Sequence, residues 1–339
     1  MTKDLRFDHV EPTPEKHFLN RRQFLGAAGV CGAAAAVVAI GYRYSPLRTD
    51  DDFVMAAELS PPSRSAHDTV LRPGIARPAV LERFPAARNP AYDIERPLTD
   101  QIAAGTHNNF YEFLPGRAGP VWQLVNDYQP DPWTIEVTGQ CRKPRTFDID
   151  AMFKLFEQEE RTYHFRCVER WAMDVPWTGF ELNKLLKAVE PTADAKFVRF
   201  VSLKRDDQMP GVRDQPQYPW PYFEGLRMDE AMNQLTLMVT GVYGRPLPRQ
   251  HGAPFRVIVP WKYGYKSPKA IVKIELVAKQ PPTFWNDVSP REYGFLSNVN
   301  PRVPHPRWSQ ARERMLGTGE TRQTEIYAGY GRYVAGMYG

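Results

Sequence analysis

The chain has 339 residues, 42% hydrophobic and 24% charged, enough length and apolar content for a substantial core and too much of both for a disordered chain. Its net charge of +5 contains no Lys/Arg run, which argues against nucleic acid as a partner but leaves room for an anionic cofactor. The 32 prolines favour fixed loops between short elements, a strand-rich mixed fold rather than a helical bundle.

At the start of the chain, Asn20-Arg21-Arg22-Gln23-Phe24-Leu25 precedes an apolar stretch from Gly26 to Ile40. That stretch is short for a bilayer span of about twenty residues and fits the hydrophobic region of an export signal. Paired arginines directly before it point to the twin-arginine pathway, which exports folded proteins, and so to the twin-arginine translocase as a partner and a periplasmic destination. Ala56-Ala57 is a weak cleavage pattern, so a retained N-terminal anchor stays open. Residues 1–57 hold seven Lys or Arg and seven Asp or Glu, so the excess positive charge belongs to the remainder. Residues 58–97, rich in Pro, Arg and Asp, read as an extended arm, and the folded catalytic body is expected over 98–339.

Within the body, Trp133–Thr138 alternates as a strand closed by Gly139, and Asp148 can cap a helix through Phe156. Thr162–Cys167 is a strand, Glu181–Val189 an amphipathic helix and Phe197–Val201 a strand again. Leu235–Thr240, Phe255–Val259 and Ala270–Val277 are β-branched runs bounded by Gly and Pro. The pattern is α+β: mixed sheets with short helices and long ordered loops. The proline-dense segment from Pro281 is expected to dock as loops, because its aromatic residues reward burial. No P-loop or dinucleotide fingerprint follows any strand.

Of three cysteines, Cys31 lies in the leader, leaving Cys141 and Cys167. A disulfide between these two would stabilise by about 3 kcal/mol in the chain-entropy model, and an inert buried thiol is a further reading. Against both, Cys167 sits between Arg166 and Arg170, whose charges favour the thiolate that binds metal, with Glu169 opposing them. A second cluster runs from Gln250-His251-Gly252-Ala253-Pro254-Phe255-Arg256 to Ser267-Pro268-Lys269, where a phosphate could be gripped, or where a solvated basic loop could lie. The third, Thr106–Phe113, holds Asn108, Tyr111 and Glu112, polar groups suited to a heterocycle or to capping. His107 and His164 are candidate proton donors, and Trp171, Trp177 and Trp261 candidate pocket walls.

Three motifs in order, Arg166-Cys167-Val168-Glu169-Arg170-Trp171-Ala172-Met173, Gln250–Arg256 with its Val259-Pro260-Trp261-Lys262-Tyr263-Gly264 continuation, and His305-Pro306-Arg307-Trp308-Ser309-Gln310, carry a resemblance. The chain resembles the periplasmic protein-methionine-sulfoxide reductase catalytic subunits, molybdopterin-dependent enzymes of the sulfite-oxidase fold, from about Asn108 to Arg314. The resemblance implies a molybdenum-molybdopterin cofactor (Mo-MPT), with Cys167 as metal ligand. It implies pterin contacts from Asn108, Tyr111, Glu112 and Ser202, anchoring by His251 and Arg256, and a last contact segment at Ser267, Pro268 and Lys269. Ser202 stands where a threonine is expected, and His251 where some members carry asparagine. The implied activity is reduction of methionine sulfoxide in oxidised periplasmic proteins, with electrons from a quinol-fed, membrane-embedded haem-binding subunit. The chain's lack of a Cys-x-x-Cys-His site, a flavin fingerprint or an iron-sulfur pattern fits an external electron source. A sulfite dehydrogenase on the same fold and an exported binding module are the alternatives.

Overall fold

The computed structural model describes residues 64–114 and 120–339. The leader and apolar segment over 1–57 therefore lie outside the described residues. Packing begins well before Leu98. Val70, Ile75 and Val80 are buried, and Arg77 reaches Asp131 and Asp150 with its guanidinium. Ala87–Arg88 (β1) adds to a sheet edge that the body provides, pairing with Glu159–Glu160.

Thr134–Gly139 (β2) buries Ile135 and Val137 while Thr134 and Glu136 face water, the period of two of a strand covered on one face. Arg145–Asp148 (β3) returns beside it. Asp148 then caps the helix Ile149–Leu155 by accepting from the Ala151 N–H at 2.7 Å. Glu159–Arg166 (β4) and Trp171–Glu181 (β5) form a long antiparallel hairpin, with Arg166 opposite Ala172 at its tip. From Arg161 to Glu181, almost every residue of this hairpin is buried, polar ones included. Two central strands covered on both faces leave no solvent side for polar residues, so each buried polar group needs a partner.

The helix Leu182–Ala188 leads to Phe197–Ser202 (β6) and Phe223–Arg227 (β7). There follow Leu237–Val242 (β8), Arg245–Pro246 (β9), Arg256–Ile258 (β10) and Ile271–Val277 (β11). The β8 strand starts two residues later than its apolar run suggests, because Leu235 and Thr236 still belong to the turn that Asn233 closes. The smaller sheet has the order β3-β2-β11-β6-β7, with β2 and β11 parallel. In the larger sheet β5 is the hub, flanked by β4 and, on its other edge, by β8 over residues 177–181.

The C-terminal segment holds more regular structure than its prolines suggest. Arg312–Met315 (β12) runs parallel to β5 at Trp171–Ala172, and Thr321–Gln323 (β13) pairs outside it. The physical reason is placement: no proline follows Pro306, so N–H donors are available for pairing. One buried apolar cluster joins both sheets, including Ile135, Phe200 and Ile274 from the smaller and Val175, Trp177 and Val239 from the larger. Each such side chain contributes about 1.5–3 kcal/mol on burial. Trp177 and Trp261 belong to this core, fully buried, and do not wall a cleft.

Candidate active site

Alternation along β4 decides what faces where. Phe165 and Cys167 point to one side and line a cleft, while His164 and Arg166 point to the other. Cys167 sits one residue past the end of β4, in the tight connection to β5. Its N–H donates to the Trp171 carbonyl at 2.9 Å, and its carbonyl accepts from the Arg170 N–H at 3.0 Å. Arg170 closes this loop with φ of 76°, in the left-handed region.

The sulfur is 3.4 Å from the Glu169 backbone N–H and 3.9 Å from the Asn109 amide nitrogen. The same Asn109 amide donates to Glu169 Oε2 at 2.6 Å, and Trp171 Nε1 donates to that oxygen at 3.4 Å. Burial, reinforced by the charge of Glu169, pushes the Cys167 thiol well above the ordinary cysteine range. The flanking arginines do not reverse this. Arg166 turns to the opposite face, where it pairs with Glu313. Cys141 and Cys167 are both unpaired, so the disulfide is not formed.

Two cations share the cleft with the thiol. Arg256 comes from β10, stacked over Trp177 at 5.0 Å, with Nη1 donating to the His251 carbonyl at 3.1 Å and Nη2 reaching the Ser267 carbonyl at 3.5 Å. Its Nε finds no partner. Burial brings its pKa down to about 9. Lys269 donates to the Asn109 carbonyl at 3.0 Å, and burial with the charge of Arg256 brings it down to about 7. Gly252, at φ of 92°, lets the loop before β10 press against Lys269, where any Cβ would overlap the Lys269 side chain. Neither cation forms an ion pair among the described residues.

The cleft encloses about 830 Å³, its open mouth included, and gathers eight of the ten expected residues: Asn108, Tyr111, Glu112, Cys167, Arg256, Ser267, Pro268 and Lys269. Burial pushes the Glu112 carboxyl up to about 7. The Asn108 amide donates to the Gly105 carbonyl at 3.2 Å, so it also caps the helix Gln101–Thr106. Two residues stand behind the lining. Ser202 Oγ donates to the Lys269 carbonyl at 2.7 Å, and His251 packs edge-on to Trp177 with its imidazole pushed down to about 3 by burial. Burial brings the His107 imidazole down to about 4, which favours its neutral form, and His164 lies on the far face.

The structure adds Asn109, Glu169, Tyr222, Tyr265, Trp285 and Tyr293 to the lining. Asn109 and Glu169 stood inside motifs already singled out and were legible as neighbours. Tyr265 lies between the Val259–Gly264 continuation and Ser267, also within a cluster already singled out, whereas Tyr222, Trp285 and Tyr293 come from segments remote from the three motifs.

The residues present fit a metal-pterin cofactor with an anionic end. Cys167 offers a single soft donor. No group of three His, Cys, Asp or Glu able to cage a metal occurs among the described residues, so a metal at Cys167 would take its other ligands from a cofactor. The orphaned Arg256 Nε and Lys269, whose charged form burial disfavours, are what an anion would satisfy.

Comparison with known proteins agrees. The oxidoreductase molybdopterin binding domain matches residues 121–285, in accord with the α+β, sulfite-oxidase-type reading. The protein-methionine-sulfoxide reductase catalytic subunit MsrP of Burkholderia mallei is 47% identical over 332 residues, 97% of this chain and 92% of that protein. Its counterpart from Ralstonia nicotianae is 44% identical over 98% of this chain and 95% of its own length.

Proposed function

This chain belongs to the family of protein-methionine-sulfoxide reductase catalytic subunits, and we propose on that footing that it reduces protein-bound methionine sulfoxide in the periplasm with electrons from a membrane-embedded haem subunit. It is a molybdopterin-dependent oxidoreductase. The observation that carries the site assignment is the buried Cys167 sulfur facing a cleft shared with Arg256, whose Nε has no partner among the described residues, and with Lys269.

Cys167 would hold the metal, Arg256 and Lys269 the phosphate end, and Asn108, Tyr111, Glu112 and Ser267–Pro268 the pterin. When bound, the group supplies two-electron oxygen-atom-transfer chemistry. The chain's own residues supply the rest. Ser202 and His251 hold Lys269 and Arg256 from behind through backbone carbonyls. Reducing a sulfoxide to a thioether and water consumes protons as well as electrons. Glu112, whose carboxyl burial pushes up to about 7, is placed in the cleft to hold one of those protons. Trp171, Tyr111, Trp285 and Tyr293 line the cleft with aromatic surface, which excludes water and favours a sulfur-bearing side chain.

Export in folded form is supported by Arg21-Arg22 ahead of the apolar run, and it would let the cofactor load before the protein meets an oxidising compartment. An Arg21→Lys, Arg22→Lys variant should accumulate in the cytoplasm; unchanged periplasmic levels would remove the twin-arginine assignment. The activity test uses purified protein, a reduced viologen dye and an oxidised test protein. Stoichiometric molybdenum and loss of methionine sulfoxide by mass spectrometry are expected. Oxidation of sulfite without turnover of sulfoxide would replace this reading with a sulfite dehydrogenase. Solubilised membranes should contain a haem protein that co-purifies with the chain, and reduction by quinol in their absence would rule that partner out.

A further inference from the structure

The motif His305-Pro306-Arg307-Trp308-Ser309-Gln310 contributes nothing to the cleft lining and lies beyond the matched domain. It sits behind Cys167 instead. Trp308 Nε1 and Gln310 Nε2 both donate to the Val168 carbonyl, each at 2.8 Å. Gln310 Oε1 accepts from Arg166 Nη2 at 2.8 Å, and Nη1 of the same guanidinium donates to the Cys167 carbonyl. Arg166 Nε meets Glu313 Oε2 at 3.2 Å. The backbone adds two more links, from the Arg314 N–H to the Arg170 carbonyl at 2.8 Å and from the Leu316 N–H to the Ala172 carbonyl at 2.9 Å. Trp308, Gln310 and Glu313 are all buried.

The carbonyl that Trp308 and Gln310 share belongs to the peptide unit joining Val168 to Glu169. The N–H of that same unit is the one 3.4 Å from the Cys167 sulfur. A peptide unit is planar and trans, so fixing its C=O on one side fixes the direction of its N–H on the other. Two donors on one buried carbonyl leave it little freedom to rotate, since turning away would strand both.

We infer that Trp308 and Gln310 are positioning residues that orient the Val168–Glu169 peptide so that its N–H donates to the Cys167 sulfur, thereby setting the electron-donating strength of that thiolate toward a bound metal. The inference rests on Cys167 being the metal ligand. Hydrogen bonds to a ligating sulfur withdraw charge from it, and outer partners of this kind tune both potential and reactivity. Glu313 acts one step further out by holding Arg166, while Trp308 is itself seated by its stacking on His305 at 3.7 Å.

The test is made on the holoenzyme, with Gln310→Leu removing one donor to the carbonyl and the acceptor for Arg166. Molybdenum content should stay at the wild-type level, while the electron paramagnetic resonance spectrum of the singly reduced metal and its midpoint potential shift. The kcat should fall about tenfold with KM within about twofold. Trp308→Phe removes the Nε1–H while leaving an aromatic ring to face His305, so it should shift the same spectrum in the same direction by less. It also decides the matter should Gln310→Leu fail to fold. A metal signal that survives Cys167→Ser would sink the ligand assignment and this inference together. A Cys167-dependent signal that is unchanged in Gln310→Leu and Trp308→Phe would sink this inference alone.

Discussion

Two faces of one strand, equally buried, treat their charges in opposite ways. On the far face of β4, Arg166 meets Glu313, and His164 sits between Asp174 at 2.6 Å and Glu313 at 3.0 Å, with Arg96 and Arg322 beyond Asp174. On the cleft side, Arg256 and Lys269 are held by backbone carbonyls and form no salt bridge among the described residues, the carboxylate acting on Lys269 being that of Glu112 across the cleft. Burial alone marks neither face as functional. Pairing does: cations matched by carboxylates are scaffold, and cations held in place but left unmatched are waiting for an anion.

The comparison breaks first at the thiol. Cys167→Ser should lower activity by more than the roughly hundredfold upper range of outer-shell changes and abolish or alter the metal signal, with circular dichroism unchanged. A fully active variant would remove the cleft face from the chemistry altogether.

Removing one charge from each face should next give opposite signs in cofactor-free protein. Glu313→Gln leaves Arg166 without its carboxylate, while His164 keeps Asp174, and should cost about 3–5 kcal/mol in chemical denaturation. Arg256→Met removes a buried cation that has no salt bridge among the described residues and should melt at or above the wild-type temperature, whereas the same variant loaded with cofactor should lose it on gel filtration. Equal destabilisation by the two would erase the distinction between the faces.

The pH response should also differ in sign. Burial alone would lower the His164 pKa, but hydrogen bonds to Asp174 and Glu313 more than offset it and raise it above the ordinary value of 6.5. Its contribution to stability is therefore complete below 6.5 and is lost as pH rises through the higher folded value. Lys269 is depressed from 10.5 to about 7, so the unfolded chain binds the extra proton between those values and stability rises with pH across that window. Melting curves of His164→Gln and Lys269→Met, each subtracted from wild type, should slope in opposite directions above neutrality. Parallel slopes would contradict the pairing argument.

The smallest effect expected is from Ser202→Ala, which removes one hydrogen bond to the Lys269 carbonyl at about 1 kcal/mol and should leave cofactor content nearly unchanged. A large loss of cofactor would place Ser202 on the cleft itself.

The cleft face was largely legible because its chemistry is local in sequence. Cys167 with Glu169, Asn108 with Tyr111 and Glu112, and Ser267 with Lys269 each lie within a few residues, so one motif delivers a group of neighbours. The far face was not. Strand alternation tells that Arg166 points away from Cys167, but its partner Glu313 is 147 residues distant, and nothing in either segment announces the other. The same limit hid Trp285 and Tyr293. Local rules erred where they met tertiary packing: the basic neighbours of Cys167 suggested a lowered thiol pKa, whereas Arg166 turns its charge to Glu313 and burial decides the direction. The prolines after Pro281 similarly masked β12, whose pairing depends on the hub strand β5.

The pairing of β12 with β5 also sets an order of events in the cell. Every residue lining the cleft precedes 294 in the chain, while the segment that braces the Cys167 loop from behind lies over 308–316. During synthesis the chain emerges from its N-terminal end, so the residues of the cleft are made before those of its brace. A chain broken before residue 308 would keep every residue of the cleft lining yet lose the donors that hold the Cys167 loop, and should retain less cofactor.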